Sequence, residues 1–153
     1  MTVDDILAPE AVILGLRASA KTALLEDLAR RAAQSLALDA ATILGALVRR
    51  EGLGSTGIGD GVALPHARLE SVRKPFGLLA RLREPFDFDA VDERPVDLVF
   101  LLLLPTAEGD DHLNALACVA RKLRDPDIAA ALRIARDAAG LHASISAPSF
   151  SHA

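Results

Sequence analysis

Apolar residues recur at helical spacing in two long stretches in the first third of the chain. The first stretch follows Ser19, a typical N-cap residue, and its apolar positions are Leu24, Leu25, Leu28, Ala32 and Leu36. The second stretch follows the capping residue Asp39 and ends at the stop signal Gly52, with apolar positions at Ile43, Leu44, Leu47 and Val48. The spacing predicts two consecutive amphipathic helices, each with one face turned to a core.

Short apolar runs predict buried strands. The predicted strands are Ala11–Leu16, Val62–Leu64, Phe76–Leu82 and Val96–Leu104. The last run is apolar at almost every position, which is typical of a strand covered on both faces. Pro85–Pro95 contains aspartates and two prolines, and is therefore predicted to be a loop.

Helical spacing returns after the long apolar strand. Asp110 or Asp111 is expected to cap a third helix, whose apolar face is formed by Leu113, Leu116, Ala117, Ala120 and Leu123. Asp125-Pro126-Asp127 interrupts the pattern, a fourth helix is predicted over Ile128–Arg136, and a short fifth over Asp137–Ile145. Helices that alternate with buried strands indicate an α/β fold with helices on both faces of a central sheet. We expect one domain over residues 1–146 and a flexible tail over 147–153.

Composition and charge exclude several classes of function. Of the 153 residues, 51% are hydrophobic but only 3% are aromatic, so the core must be aliphatic. A net charge of −4 argues against a protein that binds nucleic acid or an anionic membrane surface. The longest apolar run, Leu98–Leu104, is too short to cross a bilayer. We therefore expect no nucleic-acid partner and no membrane insertion.

Two further features concern the compartment. The first residues lack the basic segment and apolar stretch of a secretory signal. Cys118 is the only cysteine, which rules out an internal disulfide and fits a reducing compartment; its mid-helix position indicates packing. We expect a soluble cytoplasmic protein.

A glycine-rich segment separates the second predicted helix from the strand at Val62. Gly54-Ser55-Thr56 leads into Gly57–His66 (GIGDGVALPH), so that four glycines fall within residues 54–61. Glycine lets backbone amides approach a ligand closely, and successive amides form concavities that bind anions. The segment lacks a P-loop ending and precedes a strand instead of following one, so nucleotide binding is not predicted. The alternative to anion binding is that this glycine-rich segment only connects the helix to the strand and has no role in binding or catalysis.

His66 is the candidate for chemistry beside this segment. Pro65 fixes the backbone directly ahead of it, and Arg50 and Arg68 flank the segment, where either could bind a phosphate. This combination favours phosphoryl chemistry over a histidine that only hydrogen-bonds a backbone carbonyl. His112 is either an ordinary polar residue of a first helical turn or a hydrogen-bond donor across the pocket. A metal site with His66, His112 and an aspartate lacks any closely spaced ligand pair.

The remaining residues add little chemistry. His142 and His152 lie near or in the tail and are expected to face solvent. The chain has no GxSxG hydrolase motif.

The segment Arg50–His66 (REGLGSTGIGDGVALPH) resembles the active-site signature of enzyme IIA proteins of the bacterial phosphotransferase system. The class is the fructose/mannitol class with its nitrogen-regulatory branch. The resemblance continues through Pro85–Pro105 and into His112–Leu123, and it covers residues 5 to 145 or so. It implies a mixed sheet flanked by helices, with no cofactor and no metal.

By that resemblance, His66 is transiently phosphorylated by the phosphohistidine of a small HPr-type phosphocarrier, which is supplied by enzyme I and phosphoenolpyruvate. His112 would hydrogen-bond the phosphoryl group, and Arg50 would stabilise its charge. Together with the glycine and arginine arguments above, the expected phosphate-binding residues are Gly54, Ser55, Thr56, Gly57, Gly59 and Arg68.

We expect a nitrogen-regulatory IIA protein, a stoichiometric phosphoryl carrier that acts on regulated target proteins according to its phosphorylation state. A fructose- or mannitol-specific IIA component that passes the group to a IIB domain is an alternative. Two further alternatives are a non-catalytic interaction module and a metal-dependent hydrolase. Because the attacking imidazole must be neutral, phosphorylation is predicted to weaken below about pH 6.5.

Overall fold

The computed structural model describes residues 1–106 and 111–147, without the side chains of residues 111 and 112. Within these ranges a 3-10 turn, Val3–Asp5, precedes six strands and five α-helices. The strands are β1 (Val12–Leu16), β2 (Gly57–Gly59), β3 (Val62–Ala63), β4 (His66–Leu69), β5 (Phe76–Phe86) and β6 (Val96–Pro105). The helices are α1 (Lys21–Leu36), α2 (Ala40–Gly52), α3 (Asp111–Arg124), α4 (Pro126–Ile134) and α5 (Ala138–Ser146).

The strands form one mixed sheet in the order β1-β5-β6-β3-β2, with β4 also paired to β6. β6 is antiparallel to β5 and parallel to both β3 and β4, which follow one another along the same side of β6. Val62 lies opposite Leu98, and His66 lies opposite Leu102. The Leu102 amide donates to the carbonyl of Pro65 at 3.0 Å. The chain at Leu64 and Pro65 therefore remains paired with β6, and His66 follows as the first residue of β4.

β6 separates two apolar clusters because its successive side chains point to opposite faces of the sheet. One face carries Val99, Leu101 and Leu103, which pack with α1 and α2. The other carries Leu98, Phe100, Leu102 and Leu104, which pack with the 3-10 turn, α3, α4 and α5. The predictions of a strand buried on both faces and of helices on both sides of the sheet are confirmed.

Helix caps were predicted with mixed success. The Asp39 carboxylate caps α2 as expected, accepting from the Thr42 amide at 3.2 Å and the Thr42 hydroxyl at 2.8 Å. Asp137 caps the short α5. The prediction that Ser19 caps α1 is wrong: Ala20 is the N-cap and has no side-chain cap.

β5 extends beyond its predicted end at Leu82 and includes Pro85, which was assigned to a loop. The register explains this. β1 ends opposite Leu82, so the later part of β5 pairs with β6 alone, as at Phe86 and Val96. A proline is tolerated where one side of a strand has no neighbour that needs its N–H.

The helices after β6 also differ from prediction. The buried residues of α3 are Ala115, Val119 and Leu123, whereas Leu113 and Ala117 are exposed and do not belong to the core face. Val48 on α2 is likewise exposed. The fourth helix spans Pro126–Ile134 instead of Ile128–Arg136, because Asp125 caps it and proline is tolerated in a first helical turn. No helix in the described part of the chain is both long and apolar enough to cross a membrane.

Candidate functional site

The glycine-rich segment is a hairpin rather than an open loop. β2 (Gly57–Gly59) runs antiparallel to β3, and Asp60 and Gly61 form the turn with φ of 56° and 80°. Two-residue hairpin turns favour such left-handed conformations, and Asp-Gly is a preferred pair for them. The Asp60 side chain is 91% exposed and lies 3.6 Å from Arg94. This carboxylate therefore points into solvent.

A buried carboxylate fastens the segment to the end of α2. Glu51 accepts hydrogen bonds from the amide and the hydroxyl of Thr56, and it pairs with the Lys21 ammonium group at 2.7 Å. The same ammonium group lies 4.6 Å from the ring centre of Phe88. Sequence reasoning missed Glu51 and Lys21, since nothing in their spacing shows that α1 and the loop meet.

His66 begins β4, a strand beyond the predicted strand Val62–Leu64. Its ring is half-buried, and Nδ1 lies 2.8 Å from the carbonyl oxygen of Leu64. A carbonyl only accepts hydrogen bonds, so Nδ1 carries the proton of the neutral ring and Nε2 keeps its lone pair. Nε2 is therefore the ring nitrogen whose lone pair is available.

Burial lowers the pKa of His66 below the ordinary histidine value of about 6.5 because the charged ring loses hydration. The charges of Arg50 and Arg68 lower this pKa further, while the hydrogen bond to Leu64 and the charge of Glu51 act in the opposite direction. The neutral form of the imidazole is therefore favoured down to lower pH than in an unperturbed histidine. The weakening of phosphorylation in acid stays a prediction, and this shift places its expected limit below about pH 6.5.

A cavity of about 390 Å³ adjoins His66, between α2, β4, the end of β6 and the start of α3. Its polar lining is Arg49, Arg50, His66 and Arg68, and its apolar lining is Ala46, Leu53, Ala67, Leu104, Leu113 and Leu116. The structure thus brings together three of the predicted residues. It adds Arg49, whose only signal in the sequence is its place beside Arg50.

Five loop residues are predicted to bind phosphate: Gly54, Ser55, Thr56, Gly57 and Gly59. None of these five lines the cavity. Several of their polar groups already have partners inside the protein. The Gly54 amide donates to the Glu51 carbonyl, the Thr56 amide to the Glu51 carboxylate, and the Gly57 amide to Ser55 Oγ. Their role as phosphate ligands stays a prediction.

The other histidines fall in different parts of the molecule. His112 belongs to the first turn of α3, directly before the cavity residue Leu113, but its side chain lies outside the described residues, as does all of His152. The prediction that His142 faces solvent is wrong. It lies on α5 with Nε2 3.2 Å from the Leu7 carbonyl and with a side chain only 18% exposed.

The thiol belongs to the core. Cys118 on α3 is half-buried and packs against the core, as predicted. Among the side chains that the structure describes, residues 1–106 and 113–147, no three of His, Cys, Asp or Glu are placed to hold a metal ion.

Comparison with known proteins places this geometry in a family. The sequence model of the protein family described as phosphoenolpyruvate-dependent sugar phosphotransferase system, EIIA 2, matches residues 5–147. A nitrogen regulatory protein of Bradyrhizobium diazoefficiens is 46% identical over 148 residues, which cover 97% of each chain. A fructose-specific EIIA component of Haloferax volcanii is 44% identical over 99 residues, 61% of this chain and 64% of that protein.

The fold agrees with the sequence comparisons. The crystal structure of nitrogen regulatory protein IIA-Ntr from Neisseria meningitidis superimposes with a TM-score of 0.88 and 34% identity, covering 94% of this chain and 98% of that chain. The resemblance of the Arg50–His66 segment thus extends over nearly the whole sequence and to the arrangement of the sheet and helices. This chain belongs to the EIIA 2 family of the phosphoenolpyruvate-dependent sugar phosphotransferase system.

Proposed function

We propose that this chain is a nitrogen-regulatory phosphoryl-transfer protein that accepts a phosphoryl group on Nε2 of His66. The observation that carries the proposal is the 2.8 Å hydrogen bond between His66 Nδ1 and the Leu64 carbonyl, beside a cavity lined by arginines. The bond selects the tautomer whose Nε2 is free to attack. Similarity over 97% of both chains to a nitrogen regulatory protein supports the regulatory branch.

In the transfer step, the Nε2 lone pair attacks the phosphorus of a phosphohistidine on a small HPr-type carrier. A new P–N bond forms while the P–N bond of the carrier breaks, and the electron pair of the broken bond stays on the carrier imidazole. His66 keeps its Nδ1 proton and its bond to Leu64 throughout. That bond stabilises the positive charge that the ring gains when Nε2 is phosphorylated.

Alignment and charge stabilisation supply most of the catalysis in phosphoryl transfer. Arg50 Nη1 donates to the Gly54 carbonyl at 2.9 Å, which fixes the guanidinium group and leaves its other N–H groups for phosphoryl oxygens. Arg49 and Arg68 are exposed at the same cavity and can add positive charge. We assign the hydrogen bond across the pocket to His112, since its helix borders the cavity through Leu113 and Leu116.

The carrier is proposed to dock over the cavity mouth. Leu53 and Leu113 line the cavity and are 85% and 61% exposed, so a partner surface could bury both. Enzyme I and phosphoenolpyruvate would recharge the carrier.

This chemistry belongs in the cytoplasm, which agrees with the lone Cys118. The end of α5 at Ser146 supports a domain over residues 1–146 with the rest as a tail.

The test is incubation of the purified chain with phosphoenolpyruvate, enzyme I and the carrier, followed by intact-mass measurement. We expect a gain of one acid-labile phosphoryl group that is lost in His66→Ala. His142→Gln is the matched control, because it changes a histidine on α5 and should leave the gain intact. No gain in the wild-type chain, or a gain that persists in His66→Ala, would overturn the proposal.

A sugar-transport role is the second candidate, favoured by the 44% identity to the fructose-specific component over 99 residues. Such a role requires onward transfer to a IIB domain. If the phosphorylated chain loses its group on addition of a fructose- or mannitol-type IIB domain, at a rate comparable to its own phosphorylation, this second function holds. A stable phosphorylated form in that mixture supports the regulatory role.

A further inference from the structure

A continuous series of contacts, one ion pair followed by hydrogen bonds, joins α1 to the candidate nucleophile. The Lys21 ammonium group contacts the Glu51 carboxylate at 2.7 Å, and that carboxylate accepts from the amide and hydroxyl of Thr56. The Thr56 carbonyl accepts from the Leu64 amide at 2.9 Å. The Leu64 carbonyl in turn accepts from Nδ1 of His66 at 2.8 Å. Each group in the series sets the position of the next.

Glu51 is the charged member at the centre of this series. Its side chain is only 6% exposed, and the carboxylate accepts two donors of Thr56 and pairs with the ammonium group of Lys21 from α1. It also anchors the loop that holds Arg50, because the Gly54 carbonyl that accepts from Arg50 Nη1 lies between Glu51 and Thr56. Glu51 is absent from the cavity lining, so it acts through other residues.

A carboxylate that accepts two hydrogen bonds and forms an ion pair fixes geometry more strictly than an apolar contact, because charged hydrogen bonds are directional. Thr56 is 3% exposed and Leu64 also 3% exposed, so neither link of the series can exchange its partner for solvent without local opening. Displacement of Thr56 would therefore move the Leu64 carbonyl and release the His66 ring.

We propose that Glu51, with Lys21 as its counter-ion, is a positioning residue that fixes the Nδ1–H tautomer and the orientation of His66. The proposal rests on the proposed function only in what it says about phosphoryl transfer. What it says about the tautomer and orientation of the imidazole can be tested without any phosphoryl donor.

The first measurement is the ¹⁵N chemical shift of both ring nitrogens of His66 in the unphosphorylated chain, for the wild type and Glu51→Gln. The wild type should show a protonated Nδ1 and an unprotonated Nε2. In Glu51→Gln the two shifts should move toward each other, since a free imidazole interchanges its tautomers. Unchanged shifts in a folded Glu51→Gln variant would overturn the proposal.

The second measurement is single-turnover phosphorylation by the phosphorylated carrier at increasing carrier concentration. Glu51→Gln should lower the maximal rate by about tenfold to a hundredfold, the range expected for a misaligned reacting group, and leave the half-saturating concentration nearly unchanged. A raised half-saturating concentration with an unchanged maximal rate would assign Glu51 to docking instead and contradict the proposal. A wild-type chain that accepts no phosphoryl group refutes the proposed function, while the ¹⁵N result still decides the positioning role.

Asp97→Asn is the matched control. It removes the carboxylate of another ion pair, Arg133–Asp97 at 2.9 Å, which holds α4 to the start of β6 and lies outside the series. This control should keep both the ¹⁵N shifts and the rate of the wild type, and equal effects in the two variants would refute a specific role for Glu51. If Glu51→Gln does not fold, Thr56→Val removes one donor to the same carboxylate and should give the same convergence of the ¹⁵N shifts; wild-type shifts there would contradict the proposal.

Discussion

Adding one methyl group at Gly57 should destabilise the protein through a contact that the structure defines. A Cβ at this position would lie 2.8 Å from both Cα and Cβ of Ala90, closer than the 3.4–4 Å of ordinary van der Waals contact. The obstructing group includes backbone, so a side-chain rotation cannot relieve it. The Val91 amide also donates to the Gly57 carbonyl at 3.2 Å, which ties the two segments together. Overpacking of this kind costs about 1–3 kcal/mol.

Urea unfolding followed by circular dichroism measures this cost. With a slope near 2 kcal/mol per molar urea, Gly57→Ala should lower the unfolding midpoint by roughly 0.5–1.5 M. Gly52→Ala is the matched control, since it makes the same change in the last turn of α2, where a Cβ meets nothing within 4 Å. This control should leave the stability unchanged or raise it by about 0.4–1 kcal/mol. Equal midpoints for the two variants would refute the steric argument.

Three other predictions concern His66, the core and a helix cap. Because burial lowers the pKa of His66, an NMR titration of its ring should have a midpoint below the ordinary histidine value of about 6.5, and a midpoint at or above that value would contradict the site geometry. A lowered pKa in the folded state means that His66 binds a proton more tightly in the unfolded chain. The contribution of His66 to the free energy of unfolding should therefore fall as the pH drops from the unfolded-state pKa through the lower folded-state pKa. Urea unfolding at several pH values measures this change. Leu102→Ala, at a fully buried position of β6, should cost about 2–5 kcal/mol in the same assay, and a loss below 1 kcal/mol or so would argue against the packing described for this face. Asp39→Ala removes both bonds to Thr42 and should cost about 0.5–2 kcal/mol, seen as a lower midpoint of thermal unfolding; an unchanged midpoint would mean that this cap contributes nothing.

The fold was largely predictable wherever burial alone determines structure. The apolar run Val96–Leu104 predicted the central strand because both of its faces are covered by helices. Asp39 predicted its helix because a cap is a local interaction between residues close in sequence. β4 was missed, since it has four residues and alternates, with Ala67 and Leu69 buried and Arg68 exposed. So short a pattern does not stand out from a loop.

Residues that meet only through tertiary contact could not be found from the sequence. Lys21 and Glu51 are thirty positions apart, and their pairing depends on how α1 and α2 pack. His142 was expected in solvent, yet it packs on the Leu7 carbonyl at the other end of the chain. His66 and Arg50, in contrast, stand in one continuous motif, and both line the same cavity.

Two glycines of the motif have roles in the path of the chain that the sequence pattern did not reveal. Gly61 closes a hairpin turn at positive φ, and Gly57 allows β2 to pass within contact distance of Ala90. Both requirements concern the path of the chain. That path ends at the Leu64 carbonyl, which accepts the hydrogen bond from Nδ1 of His66. The glycine-rich segment therefore places an acceptor oxygen, and this oxygen determines which nitrogen of the imidazole keeps its lone pair.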